Sequence, residues 1–288
     1  MVQNILDTHS GIYGGPEFDR ISNIIDLRRK LITSVSTGRI NIYTNKTEID
    51  QYIRTLISSL LGNVKTDKQL KYVSEKTPWN ILVFEDLMEL FPDAKFIHVL
   101  RNPMDVFSSM KQVAARAEEK KIPAPDFTRN VNVALGYMLS VYMLMNKIAS
   151  EKRKNVMTVR YEDLIRDLEG QSKQICDFVE LPWEKALLDF NKIDHPGEKN
   201  MVGNEIWYTA EMFRQDPDKK RNLKKKYLLT SSERMLLETV LGKDDYLLNN
   251  GYKIVPPGSI YEKLIGKYLA KNFYEKYNFK HIPIRVLG

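Results

Sequence analysis

The chain has 288 residues, 43% of them apolar, which is enough to bury a full core and reads as one domain with elaborations. Its 44 basic against 37 acidic residues leave a formal net charge of +7, spread along the chain, which suits an anionic substrate or cofactor as well as RNA or a membrane face. Cys176 is the only cysteine, so an internal disulfide and a cysteine-rich metal site are excluded, and His9, His98, His195 and His281 share no ligand-like spacing.

In chain order, Val2 to Asp7 has the pattern of a helix tail, and His9 to Phe18 is a Gly-rich bend containing Gly11, Gly14, Gly15 and Pro16. Residues 19 to 40 are expected to be helical, Ile40 to Tyr43 a brief strand, and Thr47 or Asn45 the cap of a helix running through Leu61. Tyr72-Val73-Ser74 precedes Glu75-Lys76-Thr77-Pro78-Trp79-Asn80, after which Ile81 to Leu90 has helical spacing. A loop with Pro123 and Pro125 leads to a strongly apolar helix from Asn130 to about Ile148; its stretch Val131 to Met145 reads as too short and too polar to span a bilayer. No signal peptide pattern opens the sequence, so a reducing, cytoplasmic compartment is the default, and a preceding N-terminal segment would redirect it to the Golgi or a membrane.

The most informative stretch is Phe91 to Met110, FPDAKFIHVLRNPMDVFSSM. Phe96 to Leu100 reads as a short central strand, and Arg101 stands at its carboxyl end, where open α/β sheets place their ligands. Asn102 and Pro103 punctuate, and Met104 to Met110 opens a helix whose orphan N–H groups favour an anion. His98, inside the strand, reads as a satisfied core histidine. Arg101 offers bidentate charge-assisted bonds and Ser109, or alternatively Ser108, a smaller donor, a combination suited to a terminal phosphate. Asp105, in the first helical turn, reads as a cap or structural anion.

Val156 to Val159 is a second core strand, followed directly by Tyr161-Glu162-Asp163-Leu164. Alternating strands and helices of these lengths indicate an α/β sandwich with a mostly parallel sheet. The second half is expected to be helical at 169 to 179, 183 to 190 and 230 to 248. Residues 191 to 222 are long, polar and poorly periodic. The basic run Lys219-Lys220-Arg221 with Lys224-Lys225-Lys226 is open to two readings, a phosphate cradle and a solvated helix face. Past Pro256-Pro257-Gly258 apolar and lysine residues alternate at helical spacing, a basic amphipathic tail that would pack on its own domain, lie on a membrane surface or meet a partner.

Arg101-Asn-Pro-Met-Asp with Ser109 resembles the 3′-phosphate-binding segment of sulfotransferases that use 3′-phosphoadenosine 5′-phosphosulfate (PAPS). Phe91-Pro-Asp-Ala-Lys-Phe, Arg160-Tyr161-Glu162-Asp163-Leu164, Leu181-Pro182-Trp183 and Asn250-Gly251-Tyr252 extend the match, which covers residue 1 to about 252 and is nearest to the tyrosylprotein sulfotransferases and their microbial relatives. The resemblance implies a P-loop-like three-layer sandwich with a mostly parallel central sheet at 1–252; beyond it, the helical spacing of apolar and lysine residues sets off 253–288 as a basic amphipathic helical tail. It implies transfer of a sulfuryl group from PAPS, the cosubstrate, to a hydroxyl acceptor on a peptide, such as a tyrosine, or on a small molecule, with no nucleic acid partner; the lone cysteine and the histidine spacing lead to the separate expectation of no metal.

It also implies residue roles. Glu17, in Gly14-Gly15-Pro16-Glu17, matches the general base, and Lys76, in Glu-Lys-Thr-Pro, matches a lysine near the sulfuryl group and its bridging oxygen. Arg101 and Ser109 match the 3′-phosphate grip and Tyr161 a cofactor-contacting tyrosine. The family's opening strand and the glycine-containing loop that wraps the 5′-phosphosulfate have no counterpart before residue 11, so the first strand and loop are expected to be missing. Losing one comparable donor costs roughly 3 to 4 kcal/mol of transition-state stabilisation. The alternative function is therefore a truncated or catalytically inactive nucleotide-binding protein on the same fold. A kinase-like protein is disfavoured by the missing Walker-type lysine loop.

Overall fold

A computed structural model describes residues 1–196, 206–207 and 228–277. The architecture is α/β, and both strand pairings among the described residues are parallel. β1 (Ile12–Gly14) pairs with β2 (Tyr72–Ser74), Gly14 facing Ser74. β3 (Phe96–Leu100) pairs with β4 (Val156–Arg160) along their full length, Leu100 facing Arg160. Parallel neighbours need a crossover. The helices between the strands supply it: α2 (Ile21–Ser36) and α3 (Lys46–Gly62) inside the first pair, and α5 (Pro103–Glu119), α6 (Asp126–Arg129) and α7 (Val131–Ser150) inside the second. α1 (Val2–Thr8) precedes β1, while a 3-10 turn (Pro78–Val83) and α4 (Phe84–Leu90) lead into β3.

Local chemistry explains most boundaries. Asn45 starts α3 through a capping box in which its side chain accepts from Glu48 N and the Glu48 carboxylate accepts from Asn45 N. Asn102 caps α5 by accepting from Met104 N at 2.9 Å, with Pro103 at the first helical position, where its missing N–H costs nothing. Behind β4 come α8 (Tyr161–Arg166), α9 (Leu168–Phe178) and a 3-10 turn (Lys185–Asp189). The last described elements are α10 (Ser231–Leu241), α11 (Asp245–Asn249) and α12 (Ile260–Lys276).

Several expectations are corrected. Ile40 to Tyr43 forms turns instead of a strand, and Ile42 and Tyr43 point to solvent. The bend at 9 to 18 contains β1, too short to show a period of two. Ile81 to Leu90 divides into the 3-10 turn and α4, and Trp183 precedes its 3-10 turn, donating its indole N–H to Ser172 Oγ at 2.9 Å. The single helix at 230 to 248 is broken at Gly242, where a Cβ would stand 2.7 Å from the Glu238 carbonyl oxygen. α7 is long and apolar enough, by length and composition, to cross a membrane, contrary to the sequence reading. In this fold it lines the largest core, with Leu135, Tyr142 and Met145 buried against Phe107, Leu237 and Leu247. The basic run at 219 to 226 lies outside the described residues, as does all of 191–222 except 191–196 and 206–207.

Candidate functional site

Four of the five residues singled out in the sequence stand just past the carboxyl ends of parallel strands. Glu17 follows β1 by three positions and Lys76 follows β2 by two. Arg101 and Tyr161 come directly after the paired residues Leu100 and Arg160. Strand ends of this kind are where α/β sheets gather their ligand-binding groups.

The first pair is an ion pair: the Lys76 ammonium donates to Glu17 Oε1, both side chains remaining partly exposed. What positions it begins with α1. Gln3 Nε2 donates to the carbonyls of Ser74, at 2.9 Å, and Gly15, at 3.3 Å, tying the ends of β1 and β2 together. Asp7 Oδ1 accepts the Gly14 N–H at 2.7 Å, and a Cβ on Gly14 would stand 2.7 Å from the Asp7 Cβ, so only glycine permits this approach. Burial alone would raise the Asp7 carboxyl. Its bonds to His195, 2.8 Å away, and to Gly14, with Lys68 nearby, outweigh burial and hold it below the usual range.

A carboxylate that sequence reasoning gave no role, Glu75, holds the loop from beneath. It accepts from Phe18 N at 3.2 Å, from Thr77 Oγ1 at 2.6 Å and from Asn80 Nδ2. Burial pushes its carboxyl above the ordinary value despite these donors. Asn80 Oδ1 is buried with no hydrogen-bond partner among the described residues.

At the second pair, the Arg101 guanidinium carbon lies 4.6 Å from the centroid of the Tyr161 ring, a cation–π stack that fixes the plane of the fork. Arg101 Nε is buried and has no hydrogen-bond partner among the described residues. Buried donors are normally satisfied, so an acceptor from a ligand suits this position. The turn carrying Arg101 is braced by Glu162, whose Oε1 accepts Asn102 N at 2.8 Å and whose Oε2 accepts the Tyr252 hydroxyl. Tyr252 Oη also lies 3.2 Å from the Leu100 carbonyl, its ring supports the Arg160 guanidinium at 4.6 Å, and burial raises its phenol. The sequence match at Tyr252 was visible, but its bond to Glu162 spans 90 positions and left no local signal.

Two expectations change here. The first N–H groups of α5 are already committed, Met104 N to the Asn102 side chain and Asp105 N and Val106 N to the Asn102 carbonyl, each at 3.1 Å. The cap is therefore Asn102, and Asp105 is a buried residue inside the first turn. Ser108 is fully buried, its Oγ 3.4 Å from Leu228 N, whereas Ser109 is half-buried in the second turn of α5. Among the described residues no hydrogen bond joins Ser109 to Arg101. His98 Nδ1 sits 3.0 Å from the Tyr246 hydroxyl, and burial pushes its imidazole down to about 4, which agrees with a structural role.

Comparison with known proteins gives this arrangement a context. A relative in Aquifex aeolicus (strain VF5), an uncharacterized protein, is 24% identical over 68% of this chain and 26% of its own length. Protein-tyrosine sulfotransferase A of Caenorhabditis elegans is 22% identical over 67% of this chain and 50% of its own length. The chain thus spans between a quarter and a half of the curated relatives it matches. Among solved structures, the sulfotransferase domain from the curacin biosynthetic pathway covers 88% of this chain and 93% of its own, with a TM-score of 0.51 and 16% identity, a likeness of fold. The sulfotransferase family model matches residues 1–185, which contain both strand pairs and all four strand-end residues, and the chain accordingly belongs to the sulfotransferase family.

Proposed function

We propose that the chain moves a sulfuryl group from PAPS to a hydroxyl acceptor, with a protein tyrosine as the first acceptor to test. The observation that carries this reading is the Glu17–Lys76 ion pair at the ends of β1 and β2. At rest the two charges neutralise each other. An acceptor hydroxyl entering beside Glu17 gives its proton to the carboxylate as its oxygen bonds to sulfur. The bond between sulfur and the bridging oxygen breaks, and adenosine 3′,5′-bisphosphate leaves. Lys76, released from Glu17 as that carboxylate is protonated, stabilises the charge growing on the bridging oxygen. Arg101, stacked on Tyr161, would hold the 3′-phosphate with bidentate bonds, and Ser109 would add a hydroxyl donor from α5.

A second reading, a nucleotide-binding module without efficient transfer, has its own support. In the resting site the Lys76 ammonium is spent on Glu17, so neither group is free to meet a substrate, while Arg101 keeps a buried Nε without a partner among the described residues. A donor-dependent sulfate-transfer assay on a tyrosine peptide and on simple alcohols separates the two. The enzyme reading expects measurable transfer and a fall of about 10²- to 10⁴-fold in Glu17→Ala, the usual contribution of a general base. Transfer at equal rates in both proteins would remove Glu17 as the base.

A further inference from the structure

α12 carries apolar side chains on two opposite faces, and the fold accounts for only one of them. On the inner face Gly266, Ala270 and Phe273 are buried, Ala270 and Phe273 in the main core with Leu237 and Val240 of α10. Gly266 approaches α10 so closely that an added Cβ would stand 2.2 Å from Thr239 Oγ1. On the outer face Ile260, Tyr261, Leu264 and Tyr268 are 80%, 72%, 60% and 65% exposed. With 3.6 residues per turn these four fall within an arc of about 100° over the first turns of the helix. Scattered surface apolar residues are ordinary, whereas a contiguous row marks a contact surface.

The charges beside the row indicate what it meets. Lys263, Lys267 and Lys271 are exposed and run along one edge of it. Among the described residues Lys263 and Lys267 form no ion pair, and Lys271 forms only an exposed one with Glu275 at 3.7 Å. Glu262, the acid that could neutralise them, is turned to its own capping box with Ser259 and to Arg234 at 3.3 Å. A second copy of the chain docking here as an antiparallel two-fold pair would set the lysine edge against itself. An anionic bilayer satisfies both features, since apolar and tyrosine side chains settle at the headgroup boundary while lysines reach up to lipid phosphates.

We propose that the outer face of α12 is a peripheral membrane-binding surface, with Ile260, Tyr261, Leu264 and Tyr268 entering the headgroup boundary and the three lysines contacting anionic lipid. It stands independently of the sulfuryl-transfer reading. The test is flotation of the whole chain with vesicles of phosphatidylcholine alone and of phosphatidylcholine with phosphatidylserine, beside Leu264→Glu and the double variant Lys263→Glu/Lys267→Glu. The expected result is binding to the anionic vesicles that weakens at least about tenfold on neutral vesicles, in either variant, and with added salt. Both sites are exposed, so thermal melts of the variants should match wild type; if Leu264→Glu melts early, the lysine variant alone decides. Failure of the wild type to float with anionic vesicles, or its equal binding by the lysine variant, overturns the proposal. So does a concentration-dependent dimer in sedimentation that Leu264→Glu abolishes.

Discussion

At the scale of single residues, what could be read from the sequence depended on the distance over which a side chain acts. Arg101 and Tyr161 each directly follow a strand whose apolar run is plain, so their placement was legible. Glu17 and Lys76 are 59 positions apart, and only the pairing of β1 with β2 explains why they meet. Glu75 and Glu162 were invisible as supports because each binds groups from other turns, Phe18 in one case and Tyr252 in the other. His98 yields a prediction with a definite sign. Its imidazole titrates at about 4 when folded and near 6.5 when unfolded, so between these values the unfolded chain binds the extra proton. Its contribution is complete above pH 6.5 and is lost as the pH falls towards 4, by at most about 1.4 kcal/mol per pH unit. Urea unfolding at pH 7 and pH 5 should show a loss of up to about 2 kcal/mol that shrinks in His98→Asn. An identical loss in the variant would mean that other groups carry it.

At the scale of elements, length governed legibility. The five-residue strands β3 and β4 and the long helices α3, α5 and α7 show clear patterns, whereas the three-residue strands β1 and β2 are too short to display an alternation. Ile40 to Tyr43 looked like a strand because three of its residues are apolar or aromatic, yet nothing packs over Ile42 and Tyr43. The contact of α2 with α3 and α4 joins an apolar cluster, Ile21 and Ile25 against Ile49, Ile53 and Leu87, to a buried arginine whose distant partners left no local signal. Arg28, 2% exposed, donates to Asp50 at 2.7 Å on α3 and to Asp86 and Glu89 at 2.6 Å each on α4. Arg29 shares Asp86, and Lys46 bridges Asp50 and Glu89 at 2.7 Å each. Replacing Arg28 by Met removes the buried donor shared by the three carboxylates, leaving Asp86 to Arg29 and Asp50 and Glu89 to Lys46, and should cost about 1 to 3 kcal/mol. A lowered urea midpoint at unchanged slope checks this, and a midpoint within error of wild type would deny the network its role.

For the whole molecule, two parallel strand pairs present their carboxyl ends with an acid–ammonium pair on one and an arginine stacked on a tyrosine on the other. The proposed function makes the nucleotide the ligand to test, with the sheet pairs and the family match as its support. Calorimetry with adenosine 3′,5′-bisphosphate on wild type, Arg101→Ala and Glu17→Ala tests it most directly. Saturable binding below millimolar ligand is predicted for wild type and Glu17→Ala, with at least about a tenfold loss in Arg101→Ala, the scale of one charge-assisted phosphate contact. No binding at millimolar ligand, or an unchanged affinity in Arg101→Ala, would contradict it.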